Sequence, residues 1–224
     1  MTGPTMRDPD FTRVKRLPEK ASVDRGLMNQ ILDAGLVAHI GTVDHESPIV
    51  VPVAYARSNE QFLIHGSAAS RLFKVLAAGS PACATVTILD GLVLARSLFE
   101  SSMNYRSVMI FGTFTLLEGD SEIAALQTIT EHLMPGRWND ARQPTSQELK
   151  ATYTLAMNIT EWSVKVGEGD PDDNPADLHT PQGRDLWAGV VPINYSYGDP
   201  IPDPQVPTST LIPAYIRTWK AHKT

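Results

Sequence analysis

The residue types best suited to binding a phosphate occur together in one short stretch, residues 66–71. It contains Gly66, Ser67, Ser70 and Arg71, so backbone N–H groups and hydroxyls can donate hydrogen bonds while the arginine supplies a planar, positively charged fork. This combination indicates a site for a phosphate-bearing cofactor. The alternative is an ordinary strand-to-helix connection with a surface arginine, because short motifs of this kind also occur by chance.

A strand and a helix must hold this stretch in place. Residues 62–64 form a short apolar run that predicts a strand, the HGSAAS turn interrupts it, and apolar residues then recur at helical spacing over residues 72–76. A phosphate at the start of that helix would also meet the favourable end of the helix dipole.

Charge and composition argue against several other kinds of function. The 224-residue chain has a net charge of −6, so we expect neither nucleic acid nor a membrane surface as a partner. It has no apolar leader and no apolar run of about 18 residues, so we expect a cytoplasmic protein. The single cysteine, Cys83, lies in an apolar run and is expected in the core rather than as a nucleophile. The six histidines lack the spacing and neighbours of a metal site, so no metal is expected.

The first half of the chain predicts one helix followed by antiparallel strands. The helix runs between Ser22, as its cap, and Gly35. Three strands follow, LVAHIGTV, PIVVPVAYAR and QFLIH, joined by loops of hairpin length. Pro52 lies inside the second strand and removes a backbone donor. It therefore predicts a sheet edge, a bulge or a neighbour other than a strand, such as a flat ligand.

The second half continues the strand pattern. Asp90 and Gly91 predict a hairpin turn between the strands ATVTILD and LVLARSL, and a long strand over residues 105–117 follows, with a bend at Gly112. The remaining elements are a helix over residues 121–134, a short helix with a capping box at Thr145 and Glu148, and a last strand, LAMNITEWSVKVG.

Together these elements predict a mainly β (α+β) fold, a six- to seven-stranded antiparallel barrel with peripheral helices. We expect a single domain over residues 1–224. An N-terminal arm at residues 1–20 and a mostly irregular C-terminal extension at residues 167–224, rich in Asp, Pro and Gly, would flank the barrel.

The order of these motifs resembles the FMN-binding split barrels related to pyridoxamine 5'-phosphate oxidase, and in particular the branch that includes the nitroimidazole-resistance flavoproteins. The resemblance covers about residues 12–202 and implies a split-barrel homodimer with FMN at the subunit interface. It rests on the order and spacing of the motifs PIVVPVAYA, FLIHGSAASRL, ATVTILDGLVLARS, NYRSVMIFG and WAGVVP.

The resemblance also implies the cofactor contacts. The flavin ring would lie along the second strand, the ribityl chain beside the following strand end and turn, and the phosphate where the helix opens. The long strand and a tryptophan from the partner chain would add further contacts. The residues assigned in this way are Val50, Val51, Pro52, Val53, Ile64, His65, Gly66, Ser67, Ser70, Arg71, Ser107 and Trp187.

Three departures from the family pattern limit what can be carried over. The oxidases have two consecutive basic residues at the phosphate, whereas here Leu72 takes the second position and Lys74 lies one turn away. Ser107 replaces a glutamine of the oxidases. Glu100 and Ser101 stand where histidines of near relatives are expected.

His65 and Arg106 are the candidate substrate contacts. His65 resembles a flavin-side residue of the nitroimidazole-resistance branch, and the alternative is that its ring only bonds the turn backbone. Arg106, with Tyr105, either contacts substrate or forms an interfacial ion pair beside a packed aromatic ring. Trp187 either covers the flavin or belongs to an apolar island on the barrel. No residue can be assigned as a general acid or base.

The predicted function is that of an FMN-dependent oxidoreductase acting on a small substrate, in which the flavin carries the redox chemistry and the protein positions the substrate. A non-catalytic flavin-binding or storage protein is the second possibility. Binding of haem, or of a deazaflavin in place of FMN, on the same barrel is the third.

Overall fold

The computed structural model of the protein describes residues 11–219. The first half of the predicted N-terminal arm and the last five residues of the C-terminal extension lie outside the described residues. The elements, in chain order, are a 3-10 turn (Pro18–Lys20), β1 (Ala21–Ser22), α1 (Arg25–Ala34), β2 (Val37–Asp44), β3 (Ser47–Ser58), β4 (Gln61–Ser67), α2 (Arg71–Ala77), β5 (Ala82–Leu94), β6 (Ser102–Gly112), β7 (Thr115–Leu116), α3 (Asp120–Leu133), α4 (Ser146–Lys150), β8 (Thr152–Asn158), β9 (Glu161–Gly167), α5 (Pro175–Leu178), α6 (Pro181–Asp185), β10 (Gly189–Pro192) and α7 (Ala214–Thr218).

The strands form one antiparallel sheet, in the order β1-β9-β6-β5-β2-β3-β4-β8-β7, with β10 added beside β5. The sheet has ten strands, of which β1, β7 and β10 span only two to four residues. The sheet therefore has more strands than the six to seven predicted. The helices lie outside the sheet, so the predicted mainly β architecture with peripheral helices is confirmed.

The core fills the inside of the sheet and is closed by α1 and α2. Tyr55 lies at its centre, fully buried, where its hydroxyl donates a hydrogen bond of 2.7 Å to the Leu32 carbonyl and its ring stacks on Phe62 at 4.8 Å. Burial, and to a lesser extent the negative charge of Asp33, raises the pKa of the Tyr55 hydroxyl strongly, so it remains a neutral donor. A smaller apolar cluster under α3 joins Leu63 and Ile129.

The predicted hairpin at Asp90 and Gly91 is wrong. β5 runs through both residues, and both of its halves pair with β6, with a bulge between Leu89 and Gly91. The bulge turns the Asp90 carboxylate toward Arg106. A side chain at Gly91 would begin only 3.1 Å from Val190 on β10, so the glycine serves a close strand contact rather than a turn.

Three other predicted boundaries differ from the structure. Asp24 rather than Ser22 caps α1, accepting from the Gly26 N–H at 2.7 Å. Gly112 ends β6 rather than bending a longer strand. The predicted last strand is two strands, β8 and β9, because the chain crosses at Ile159, whose N–H bonds the Glu60 carbonyl. Within residues 11–219 no helix is both long and apolar enough to cross a membrane.

Candidate functional site

The open edge of β3 provides the first wall of the candidate site. Residues 47–54 of β3 pair with β2 on one side, and only residues 55–58 pair with β4, so within the described residues the other edge of 47–54 has no strand partner. Pro52, which faces His39 across the β2–β3 pair, lies at this edge. The missing proline N–H thus falls where a sheet tolerates it.

The four residues of β3 that were predicted to contact the flavin lie on two faces of the strand. Val51 and Val53 are half-buried and pack against the core, whereas Pro52 is exposed and Val50 is 65% exposed. A flat ligand along this edge would therefore contact backbone groups and the Val50 and Pro52 side chains.

The strand-turn-helix unit is formed as predicted by β4 and α2. Ser67 organises the turn, because its carbonyl accepts from the Ser70 N–H at 2.9 Å and its hydroxyl accepts from the Ala69 N–H at 3.2 Å. Ser70 occupies the cap position of α2, but its side chain does not cap the helix, which leaves the hydroxyl available to a ligand. Ile64, by contrast, is fully buried in the core.

Gly66 is required by packing. A Cβ at this position would lie 2.2 Å from the Phe73 ring, which is itself buried under the turn. Gly66 and Phe73 therefore fix the distance between the end of β4 and the first turn of α2.

Arg71 is paired with an acidic residue that the sequence analysis missed. Its guanidinium Nε donates to the carboxylate of Asp44, at the end of β2. The Arg71 side chain is 61% exposed, while that of Asp44 is only 13% exposed. Because 27 residues separate the two, no local motif could have shown the pair.

The His65 side chain lies on the face of β4 opposite to that of Ile64 and Gly66. It borders a cavity of about 320 Å³. We call this the His65 cavity; α3, α4, β8 and the loop between the helices enclose it. Partial removal from water lowers the pKa of the His65 imidazole, so the ring is neutral at pH 7. The other lining residues are Leu126, Thr130, Trp138, Arg142, Pro144, Glu148, Leu149 and Thr152.

A bidentate ion pair between Arg142 and Glu148 forms one side of the His65 cavity. Arg142 donates to both oxygens of Glu148, at 2.9 and 2.7 Å, and Glu148 completes the predicted capping box with Thr145. Trp138 and Arg142 had not been recognised as possible site residues. The sequence showed that the preceding helix ends at MPGRW. It did not show that the following loop lies against the His65 cavity.

The remaining predicted contacts lie away from this region. Arg106 forms an ion pair with Asp90 in the same chain, at 2.9 and 2.7 Å, and the bond to Asp90 raises the pKa of the guanidinium. Ser107, which bonds the Lys165 carbonyl, lies on β6, three strand spacings or about 14 Å from β3. Trp187 is 62% exposed and contacts Gly189 at the start of β10.

The outward face of the sheet is unusually apolar for a surface. It bears an open cavity of about 470 Å³, which Phe11, Cys83 and Phe111 help to line. We use the name outer sheet face for a set of outward side chains on β2, β3, β5 and β6. They are Val37, His39, Val43, Pro48, Val50, Pro52, Cys83, Thr85, Thr87, Tyr105, Ser107, Met109 and Phe111.

Comparisons with known proteins extend this description. The family model of pyridoxamine 5'-phosphate oxidase matches residues 24–166. An FAD- and haem-binding protein from Mycobacterium smegmatis is 38% identical, with 90% of this chain and 97% of that chain covered and a TM-score of 0.85. The flavocytochrome Anf3 from Azotobacter vinelandii is 37% identical, with 93% and 96% covered and a TM-score of 0.86.

A more distant structure shares the fold alone. It is a protein described as conferring 5-nitroimidazole antibiotic resistance in Bacteroides thetaiotaomicron, 19% identical, with 65% of this chain and 86% of that chain covered and a TM-score of 0.56. No curated protein sequence is significantly similar to the chain. Since the family model covers more than half of the residues and two full-length structures exceed 30% identity, the chain belongs to the pyridoxamine 5'-phosphate oxidase-like family.

Proposed function

We propose that this protein is a flavin-dependent redox protein, that its flavin is FAD, and that it binds haem as a second group. The observation that carries the proposal is the similarity to two proteins described as binding FAD and haem or as a flavocytochrome, each aligned over at least 90% of both chains. FMN, which the sequence motifs imply, is the alternative flavin.

The geometry at β3 and α2 fits a flavin nucleotide. The open edge of residues 47–54 can receive the ring system, and the Ser70 hydroxyl and Arg71 guanidinium lie where a phosphate would follow. A bound flavin would supply electron and hydride transfer. The chain would supply orientation through the β3 backbone and exclusion of water through Val50 and Pro52.

We propose that a haem binds at the His65 cavity. The volume of about 320 Å³ would hold only part of the group, and Leu126, Trp138 and Leu149 would give that part apolar walls. A neutral imidazole is the form that binds iron, and the lowered pKa of His65 keeps it in that form. Arg142 would have to share its N–H donors between Glu148 and a haem propionate. The position of His65 supports the haem alternative of the sequence analysis.

We also propose that two copies associate through the outer sheet face. Val43, Val50 and Met109 are 56%, 65% and 38% exposed there, more apolar surface than an isolated sheet usually presents to water. Ser107 could reach a flavin at β3 only from a second copy, because three strand spacings separate the two within one chain.

Cofactor extraction tests the proposal directly. The full-length protein would be purified and denatured, the released flavin identified by mass spectrometry, and haem measured as its pyridine complex. FAD together with a Soret band is the expected result. FMN or a deazaflavin alone would replace the proposed cofactors, and a colourless protein would refute flavin and haem together. Anaerobic addition of NAD(P)H then distinguishes a redox enzyme from a flavin-storage protein, because only in the enzyme should the flavin be reduced.

The haem site and the dimer have separate tests. His65→Gly should lose the Soret band and recover it when free imidazole is supplied, whereas His179→Gly, at the exposed residue that follows α5, should leave it unchanged. Val50→Asp should shift the sedimentation coefficient toward a monomer, while Val23→Asp, at a side chain outside the outer sheet face and 93% exposed, should not.

A further inference from the structure

We propose that Asp44 determines the choice between FAD and FMN, by neutralising the arginine that meets the flavin phosphate. This inference rests on the proposed flavin site and deepens it. Asp44 is part of no motif recognised in the sequence, and its role follows from three features of the structure.

The first feature is the ion pair itself. Asp44 places its carboxylate on Arg71, and the carboxylate is much the less exposed partner, so it is held against the guanidinium by the end of β2. His45, whose Nε2 lies 3.7 Å from the other Asp44 oxygen, is 99% exposed and projects into solvent. The formal charge of the Asp44–Arg71 pair is zero.

The second feature is the position of Leu72. In the oxidases a second basic residue stands at this point of the motif, but here the Leu72 side chain is buried in the core, 3% exposed. A lysine there could not reach the phosphate without leaving the core. Lys74 is exposed one helical turn further on, so Arg71 is the cation beside Ser70.

The third feature is the charge of the ligand. A phosphate monoester such as that of FMN carries about −1.5 to −2 at pH 7, because its second proton dissociates near pH 6. Each phosphate of the FAD diphosphate has one ester and one anhydride bond and carries a single negative charge. The Asp44 carboxylate beside Arg71 cancels the attraction of the guanidinium and itself repels a dianion more strongly than a monoanion, which favours FAD.

Three ligands that differ in the charge of the phosphate next to the ribityl chain separate this effect from other contacts. Flavin-free full-length protein would be titrated with riboflavin, FMN and FAD, and the ratio of the riboflavin and FMN dissociation constants reports what the terminal phosphate contributes. In the wild type we expect this ratio to stay below about fivefold, since exposed charges are screened and the pair is neutral. FAD should bind more tightly than FMN.

Asp44→Asn removes the charge and keeps the shape. It should raise the affinity for FMN by about fivefold to tenfold, equivalent to about 1–1.4 kcal/mol, and that for FAD by less than about twofold. Asp44→Glu, which keeps the charge, should retain the wild-type preference. The matched control is Asp33→Asn, which removes a carboxylate from another arginine pair, with Arg57 at 2.6 Å, and should change neither affinity.

The outcomes are distinct. If the wild type binds no flavin, the proposed function fails and this inference with it. If FAD binds but the wild type gains about a hundredfold from the FMN phosphate, or if Asp44→Asn weakens both nucleotides equally, Asp44 merely positions Arg71 and the inference alone is overturned. Should Asp44→Asn fail to fold, the wild-type ratio and Asp44→Glu still decide.

Discussion

Arg71 is the single side chain on which flavin binding should depend most. Replacing it by Ala removes a hydrogen bond to a phosphate and leaves the Asp44 carboxylate without its cation, so we expect binding of FAD to weaken by about 1.5–3 kcal/mol, near the lower limit because 61% of the side chain is exposed. Fluorescence titration of flavin-free protein measures the change. Arg25→Ala, which breaks the comparable exposed pair with Glu60, should leave the affinity unaltered. Unchanged flavin binding in Arg71→Ala would remove Arg71 from the site.

His65 should make the folded protein sensitive to mild acid. Because desolvation lowers its pKa below the ordinary value of 6.5, the unfolded chain binds more protons than the folded one as the pH falls through that value. Stability is therefore retained above about pH 6.5 and lost as the pH falls toward the folded-state pKa. In cofactor-free protein, His65→Gln should reduce the loss of urea midpoint between pH 7.5 and pH 5, and His179→Gln should not. Equal losses in the wild type and His65→Gln would contradict the role of His65.

For single residues, the sequence identified one partner of a contact but not the other. The cluster Gly66, Ser67, Ser70 and Arg71 was visible because its members are adjacent, and the structure brings them together in one turn. The partner of Arg71 was not visible, since Asp44 is distant in sequence and meets the arginine only where α2 packs near the end of β2. A charge pair that depends on strand register has no signature in one sequence.

Among the elements, the unit formed by β4, its turn and α2 should be sensitive to a single methyl group. Gly66→Ala would place a Cβ within 2.2 Å of the Phe73 ring, and overpacking of this kind costs about 1–3 kcal/mol. Chemical denaturation measures the loss. Phe73→Leu makes room, so the double variant should lose less stability than the sum of the two single variants. Simple additivity would show that the two residues do not press on each other.

The elements also show why some sequence signals succeeded and others failed. Thr145 and Glu148 formed the predicted capping box because both partners lie within one helical turn. Asp90 and Gly91 carried an equally local signal, but both flanking segments found partners on the long strand β6, and the ladder replaced the turn by a bulge. Turn-forming residues determine the backbone conformation only where no neighbouring strand competes for the same segment.

In the whole molecule, the C-terminal extension connects a remote part of the chain to the His65 cavity. Tyr215 and Trp219, at α7, hold the loop after α3: the Tyr215 hydroxyl donates to Asp140 at 2.7 Å and the Trp219 indole donates to the Pro135 carbonyl at 3.1 Å. The Tyr215 ring also packs on Gly136, which has a positive φ of 88° and leaves no room for a Cβ. This loop supplies Trp138 and Arg142 to the cavity wall.

Removing residues 214–224 should therefore affect haem and flavin differently. The loop would keep the bonds from the Gly136 and Trp138 N–H groups to Glu131, at 2.7 and 2.9 Å, but lose its outer support. We expect hydrogen exchange at residues 134–144 to accelerate by about tenfold, which corresponds to 1.4 kcal/mol of local stability. Haem should dissociate faster while FAD content stays constant, because Tyr215 and Trp219 bond the loop after α3, whereas the proposed flavin contacts lie on β3, β4 and α2. Tyr215→Phe, which removes one hydroxyl, should give a smaller change in the same direction. If the truncated protein instead keeps the exchange rates of the full chain, the loop is rigid on its own and α7 does not support the cavity.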